Sequence, residues 1–370
     1  MARPAVFVIG TRAQLIKVAP VIVECERQQV ACTLLMTGQH HETMQDLLDE
    51  FGIKSPQVSA VPSSEHATVG SLLYWLPAAY RGVKARLREM GNGAHGTDVL
   101  VHGDTLSTLV GAYAAHRSGA RVVHLESGLS SGKLFDPFPE ELCRRLVFRV
   151  TDVAMCPNQD AVRHMRRYPR ARIIDTGGNT IIDAVALTGA RPGSTEERGY
   201  LVASLHRFQN IYDKSRLHGL VALIEALSKQ FAVHFVLHPA TRRRLQKRGL
   251  MQRLEAAPGV RLSPRMGYAD FLRLAAGAAC VLTDGGSNQE ELAALGVPTI
   301  VMRARTERPD GLGANAVMES DIAGGVQSFV LNQAYRTLRR EPKDNPDDGP
   351  SRRIVRALTS AAAGDEGGVS

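Results

Sequence analysis

Three acidic positions in the first half of the chain are of the type that moves protons: Asp104 in His102-Gly103-Asp104-Thr105, Glu126 in His124-Leu125-Glu126-Ser127-Gly128, and Glu140 in Pro139-Glu140-Glu141. Basic groups accompany them: Arg12 and Lys17 after Gly10-Thr11, and Arg144 three residues beyond Glu141. The second half adds His206-Arg207, His238-Pro239, Thr306-Glu307-Arg308-Pro309 and a run from Thr283 to Glu291 in which Gly286 and Ser287 open a helix. Carboxylates beside histidines and arginines, with no cysteine cluster and no metal-ligand spacing, suit acid/base work on an anionic substrate. Glycines ahead of a small hydroxyl residue at a helix start expose backbone N–H groups and the positive end of the helix dipole, which suits a phosphate or diphosphate. No metal and no cofactor is expected.

Each group also has a plain structural use. Asp104 could cap the helix that starts at Thr105; Glu140 and Glu141 could complement a helix dipole; His206 or His238 taken alone could be an ordinary hydrogen-bonded histidine. Glu126 is harder to place in that way, because an unpaired carboxylate after a buried strand carries a desolvation cost.

The elements that must position these groups alternate regularly. Residues 4–9 read as a buried strand, 15–29 as a helix and 31–36 as the next strand, one β-α-β unit. Helices follow at 41–50 and 68–90, a strand at 99–101, a helix at 106–116 and a strand at 121–125. After the turn residues Asp175-Thr176-Gly177-Gly178-Asn179 a second series begins, with strands at 200–204, 233–237, 280–283 and 299–302. The pattern predicts an α/β protein of two Rossmann-like, doubly wound domains facing across a cleft, with ligands beyond the carboxyl ends of the strands. The expected division is 1–178, 179–340, and a C-terminal piece, 341–370, made of a linker, a docking helix and a flexible tail. Gly91-Asn92-Gly93-Ala94-His95-Gly96 matches a dinucleotide fingerprint in form only, since it follows a helix and precedes a strand.

Composition narrows the partners. The chain has 370 residues, and 45 Lys plus Arg against 37 Asp plus Glu give a net charge of +8. The basic residues fall in short groups such as Arg242-Arg243-Arg244 without interleaved aromatics, so no nucleic-acid partner is expected. No uncharged run is long enough for a bilayer span and no cleavage-like site follows the first apolar stretch, so neither a membrane helix nor a signal peptide is expected. Five cysteines without a C-x-x-C pair read as reduced thiols in the cytoplasm.

At these same residues the sequence resembles the UDP-N-acetylglucosamine 2-epimerases, of the bacterial, non-hydrolysing type. The family pattern G-T-R-P-E-x-I-K corresponds to Gly10 through Lys17, T-G-Q-H to Thr37 through His40, H-G-D-T to His102 through Thr105, and H-x-E-x-G-L to His124 through Leu129. P-x-P-E-E with a following Arg matches Pro137 through Arg144, and G-N-T-x-I-D matches Gly178 through Asp183. His206-Arg207, D-x-G-x-x-Q-E-E at Asp284 through Glu291, and T-E-R-P at Thr306 through Pro309 complete the series. The resemblance implies the glycosyltransferase-B type of fold, a C-terminal domain that binds UDP, a homodimer, and elimination of UDP to 2-acetamidoglucal followed by re-addition with carbon 2 inverted.

Carried over by position, the resemblance makes Asp104, Glu126 and Glu140 the carboxylates of proton transfer and His206 the group that assists UDP departure. It sets Arg12 and Lys17 near the diphosphate or sugar and Arg144 on the carboxylate cluster. Gly286 and Ser287 offer N–H groups to phosphate, Glu291 takes ribose hydroxyls, Phe271 packs near uracil, and His238 and Arg308 complete the nucleotide shell. The resemblance also offers Gln39 and His40 as candidates for an allosteric UDP-N-acetylglucosamine site. The chain departs from the pattern at Gln14 for Glu, Ser127 for Ala, Ser130 for Arg, Cys143 for Asn, Phe208-Gln209 for Arg-Glu and Gly285 for Ser. A hydrolysing epimerase, an epimerase of a modified UDP-hexosamine and a UDP-sugar glycosyltransferase remain as alternatives.

Overall fold

Parallel strands buried on both faces need helices on each side, and the alternation of apolar runs with amphipathic segments supplies them. The computed structural model describes residues 2–38, 44–61, 69–90, 95–133, 138–192, 199–306, 309–343 and 348–364, with side chains left out at 69–74 and 361–364. The chain divides into two compact units: Met1–Ala184 together with Asn345–Ser370, and Val185–Asp344.

In the first unit the elements run β1 (Ala5–Ile9), α1 (Arg12–Arg27), β2 (Cys32–Met36), α2 (Gln45–Phe51), β3 (Gln57–Ser59), α3 (Val69–Glu89), β4 (Asp98–His102), α4 (Leu106–Arg117), β5 (Arg121–Leu125), α5 (Glu140–Phe148), β6 (Val153–Cys156), α6 (Gln159–Met165), β7 (Arg172–Asp175) and α7 (Ile181–Leu187). The strands form one parallel sheet in the order β3-β2-β1-β4-β5-β6-β7. The order reverses between β1 and β4, which are neighbours in the sheet. That switch point leaves a crevice at the carboxyl ends of the two strands, where the chain has placed Gly10-Thr11 and His102-Gly103-Asp104.

The second unit continues with β8 (Tyr200–Ser204), α8 (Phe208–Tyr212), α9 (Lys214–Leu227), β9 (Ala232–Leu237), α10 (Pro239–Lys247), α11 (Met251–Ala256), β10 (Val260–Pro264), α12 (Tyr268–Ala276), β11 (Cys280–Thr283), α13 (Gly286–Leu295), β12 (Thr299–Val301), β13 (Ala316–Met318) and α14 (Gly325–Leu331). Its parallel sheet has the order β10-β9-β8-β11-β12-β13. Here the switch point lies between β8 and β11, at His206 and Asp284. A last helix, α15 (Pro350–Gly364), returns to the first unit and packs on α1.

Each unit has its own core. Val6, Val8, Val99, Val101, Trp75 and Val83 are buried around the first sheet, and Leu201, Leu220, Phe235, Leu282 and Ile300 around the second. Each fully buried aliphatic side chain contributes roughly 1.5–3 kcal/mol. Close approach matters where α4 meets the first sheet. A Cβ on Gly10 would fall 1.8 Å from Ser107 Oγ, and one on Gly111 would fall 2.9 Å from a Val8 methyl.

The structure adds strands that the apolar pattern does not show. Among them are β3, β7, β10 and β13, the four sheet edges; β3, β7 and β10 carry exposed positions because only one side is paired, and β13 is apolar but only three residues long. The interior strand β6 is also absent from the sequence reading. The contact division differs from the expected boundary at 178/179. Asn179 and Thr180 hydrogen-bond to Glu126 and to the Lys17 carbonyl, and Asp183 accepts from Ser351 N at 2.7 Å, which keeps the start of α7 and the whole of α15 with the first unit. Of the glycine-rich stretch, residues 91–94 lie outside the described residues, as do 41–43 of the expected helix 41–50.

Candidate active site

The first switch point is built around the start of α1. Thr11 caps the helix, and Gln14 completes a capping box by accepting from Gly10 N at 2.9 Å and Thr11 N at 3.2 Å. Its amide Nε2 donates to His102 O, Thr105 Oγ1 and Thr108 Oγ1, all at 2.9 Å. A buried side chain that must accept on one side and donate on the other calls for an amide, which accounts physically for Gln14 where the resembled pattern has Glu.

Glu126 follows β5 with φ +58°, a left-handed backbone that costs a residue with a Cβ roughly 1–2 kcal/mol. Non-glycine residues persist in that region where surrounding contacts over-determine them, commonly at functional sites. Here Lys17 Nζ lies 3.0 and 3.1 Å from the two carboxylate oxygens, Asn179 Nδ2 donates to Oε1 at 3.1 Å, and His102 Nε2 lies 3.1 Å from Oε2. Lys17 and His102 are buried. His124, on the strand below, is buried and neutral: burial pushes its pKa down to about 4, against the opposing hydrogen bond to Gly103. Since the Gly103 carbonyl can only accept, Nε2–H donates to it at 2.8 Å, and Nδ1 takes the Ser127 hydroxyl at 3.0 Å.

A second cluster centres on Arg144 of α5, whose guanidinium donates to Asp104 and, at 2.9 Å, to Glu141. Glu141 is fully buried and also accepts from Ser130 Oγ at 2.5 Å, Arg145 Nε at 2.9 Å and Ser131 N at 3.1 Å. Burial raises its pKa, but the bonds from Ser130, Arg145, Ser131 and Arg144 outweigh that and hold it below the ordinary value. Arg145 thus brings a cation to this carboxylate in a chain that has Ser at 130. Glu140 opens α5, and its Oε2 is buried with no hydrogen-bond partner among the described residues. Arg12 is engaged by Asp46 of α2, at 2.5 and 2.8 Å.

In the second unit, fully buried Asp284 accepts from His206 N at 3.0 Å, Arg207 N at 2.9 Å and Asn210 Nδ2 at 2.7 Å. Its Oδ1 lies 3.2 Å from His206 Nδ1. The His206 and His238 rings are 5.4 Å apart, and burial, then His206 and nearby arginines, lower the His238 pKa. Gly285 caps α13, which starts at Gly286-Ser287; a Cβ at 285 would sit 3.2–3.3 Å from Asn288 and His206. Glu291 is buried one turn further on, and Phe271 is half-buried on α12. Phe208 is exposed and stacks on Tyr212 at 4.2 Å, with the Arg244 guanidinium 3.6 Å from the Tyr212 ring.

The structure therefore brings Lys17 to Glu126, Arg144 to Asp104, and His206 to His238. Gln39, His40 and Arg308 lie outside the described residues. The sequence leaves His102, Asn179 and Asp284 without roles and offers Glu141 as a helix-dipole partner, although all four stand inside the quoted motifs. Among the described residues no helix is long and apolar enough to cross a membrane, and all five cysteines are buried and free.

Two Rossmann-like domains with helix starts at their switch points define the class, an α/β fold of the glycosyltransferase-B type. The family is narrower. The model of the UDP-N-acetylglucosamine 2-epimerase family matches residues 23–359, and the chain belongs to that family. A UDP-N-acetylglucosamine 2-epimerase of Methanococcus maripaludis is 31% identical over 369 residues, covering 94% of this chain and 96% of the relative. The structure of a putative UDP-N-acetylglucosamine 2-epimerase from Listeria monocytogenes is similar at TM-score 0.79 and 24% identity, covering 98% of this chain and 97% of that one. The Methanocaldococcus jannaschii UDP-GlcNAc 2-epimerase in complex with UDP-GlcNAc and UDP is similar at TM-score 0.70 and 25% identity, covering 96% and 99%.

Proposed function

We propose that this chain interconverts UDP-N-acetylglucosamine and UDP-N-acetylmannosamine, eliminating UDP to give 2-acetamidoglucal and adding it back with carbon 2 inverted. The observation that carries the reading is the pair Asp104 and Glu126. They stand at the carboxyl ends of adjacent strands, each held by a cation, Arg144 and Lys17. No carbonyl acidifies the hydrogen on carbon 2, so it leaves only as the anomeric C–O bond breaks and positive charge grows on the ring. Carboxylates near carbons 1 and 2 stabilise that charge and take the proton. Glu140, with a buried oxygen that has no hydrogen-bond partner among the described residues, is the third candidate.

In the second unit His206, fixed by Asp284, assists the departing diphosphate. Gly286 and Ser287 at the start of α13 offer N–H groups to it, while His238, Phe271, Glu291 and Arg308 serve the nucleotide, and Arg12 turns from Asp46 to the anion. The likeness to the archaeal epimerase that binds UDP-GlcNAc and UDP supports this substrate class. The same reading expects a homodimer in the cytoplasm, tested by light scattering and cell fractionation. A modified UDP-hexosamine is the second reading, favoured by Phe208, whose exposed ring stands where the resembled pattern carries Arg.

Incubation with UDP-N-acetylglucosamine in heavy water, followed by proton NMR, tests the proposal. Deuterium at carbon 2 of an intact nucleotide sugar is the expected result. Free N-acetylmannosamine would assign the hydrolysing reaction, and absence of exchange with every UDP-hexosamine offered would overturn the epimerase reading.

A further inference from the structure

Glu141 stands in the first turn of α5, yet its carboxylate is fully buried and both oxygens are filled. Oε1 accepts from Ser130 Oγ at 2.5 Å and Arg145 Nε at 2.9 Å, and Oε2 accepts from Ser131 N at 3.1 Å and Arg144 Nη1 at 2.9 Å. An ionised carboxylate has about four lone-pair positions, and here each has its donor. A complement to the helix dipole needs only a negative charge near the first turn. Four donors around a buried charge also fix the geometry of the groups that carry them.

Two paths leave this carboxylate. Along one, Arg144 turns its other terminal nitrogen, Nη2, to Asp104. Along the other, Ser130 and Ser131 end the segment that follows Glu126. That segment is held earlier at Ser127 N, which donates to Met155 O at 2.9 Å, and at Gly128 O, which accepts from His164 Nδ1 at 2.9 Å. A Cβ on Gly128 would fall 2.4 Å from Ala161 O, so the chain there is tightly packed. Glu141, Arg144 and Arg145, at helical spacings of three and four, share one face of α5.

We infer that Glu141 is a positioning residue for the proposed reaction, setting the Arg144 guanidinium against Asp104 and fixing the segment that leaves Glu126, so that the two carboxylates are held in one frame. The inference rests on the reading of Asp104 and Glu126 as the groups of proton transfer. Glu141 itself moves no proton, because taking one up would set an O–H against one of its four donors. Of the two acids that open α5, that leaves Glu140 for chemistry.

Glu141→Gln keeps the shape, removes the charge and turns an NH2 edge toward two of the donors. With UDP-N-acetylglucosamine, E141Q is expected to lose about a hundredfold in kcat, with KM and calorimetric UDP affinity within about threefold of wild type. A second readout needs no turnover. In 15N NMR the Arg144 guanidinium, held by two carboxylates, should give slowly rotating Nη signals that E141Q releases, assigned by their loss in Arg144→Lys. If E141Q does not fold, Ser130→Ala decides: it removes one of the four donors, and an exposed bond from Gly132 N, without touching either arginine. S130A should lower kcat about threefold to tenfold at unchanged KM. Wild-type kcat in folded E141Q, or in S130A where E141Q fails to fold, overturns the inference even if the melting temperature falls. If the wild type shows no exchange at carbon 2 while E141Q still releases Arg144, the epimerase reading is what falls, and the hold of Glu141 on Arg144 stands.

Discussion

Lys17 Nζ bridges the two carboxylate oxygens of Glu126, 3.0 Å from Oε1 and 3.1 Å from Oε2, across a sequence separation of 109 residues. Both side chains are largely withdrawn from water, so each depends on the other to remain charged. Lys17→Met should leave a carboxylate that protonates instead of acting as base, with exchange at carbon 2 down by about a hundredfold and stability down by about 3 kcal/mol. Glu126→Gln should abolish exchange while largely preserving UDP binding. NMR exchange and urea melts read these effects, and an active K17M protein would show that the ion pair is dispensable.

Arg144 joins Asp104 to Glu141 through separate nitrogens of one guanidinium. A lysine carries the charge but not the fork, so Arg144→Lys should reduce kcat by roughly tenfold to a hundredfold with a smaller change in KM. Asp104→Asn should abolish exchange with UDP binding retained. Steady-state kinetics check the first variant and calorimetric titration of UDP the second; full activity in D104N would remove Asp104 from the proton-transfer set.

Asp284 anchors the His206-Arg207 turn from a fully buried position, accepting from two backbone N–H groups and Asn210. Asp284→Ala removes the acceptor of the two backbone donors, while Asn210 Nδ2 keeps its bond to Met302 O at 2.8 Å, and should cost about 2–4 kcal/mol in stability. Because His206 then loses its orientation, kcat should fall more than UDP affinity. Thermal melts together with kinetics test this, and the same kcat as the wild type would detach His206 from the reaction.

His124 sets a pH limit on stability. Its folded pKa of about 4 lies below the ordinary 6.5, so between those values the unfolded chain binds a proton that the folded chain does not. Stability is full above about pH 6.5, declines as pH falls, and has lost about 3 kcal/mol by pH 4. His124→Gln should flatten that slope. Urea unfolding of both proteins at pH 7, 5.5 and 4.5 measures it, and parallel slopes would contradict the assignment.

The interior strands β1, β2, β4, β5, β8, β9, β11 and β12 were legible because strands buried on both faces read as continuous apolar runs. The edge strands were not. Gln57–Ser59 and Arg172–Asp175 each pair on one side only and can carry polar ends, so their composition resembles that of a loop. The segment 179–184 was assigned to the second series because its glycine-rich approach looks like a linker. What holds it to the first unit is a set of side-chain bonds, from Asn179, Thr180 and Asp183, to residues far away in the chain.

Taken alone, the sequence determined which residues follow each buried strand, where the helices start, and the ordered motifs of a UDP-N-acetylglucosamine 2-epimerase family member. Those are local properties, set by side-chain type and spacing. Only the tertiary structure decided which of those groups touch: that Lys17 serves Glu126, that Glu141 is the buried hub of Arg144, that Asp284 holds His206, and that His102 faces the proposed base. The physical reason is the strand order. β1 lies beside β4 and β8 beside β11 through crossovers set by packing helices on sheets, and those crossovers bring together side chains that no local pattern relates.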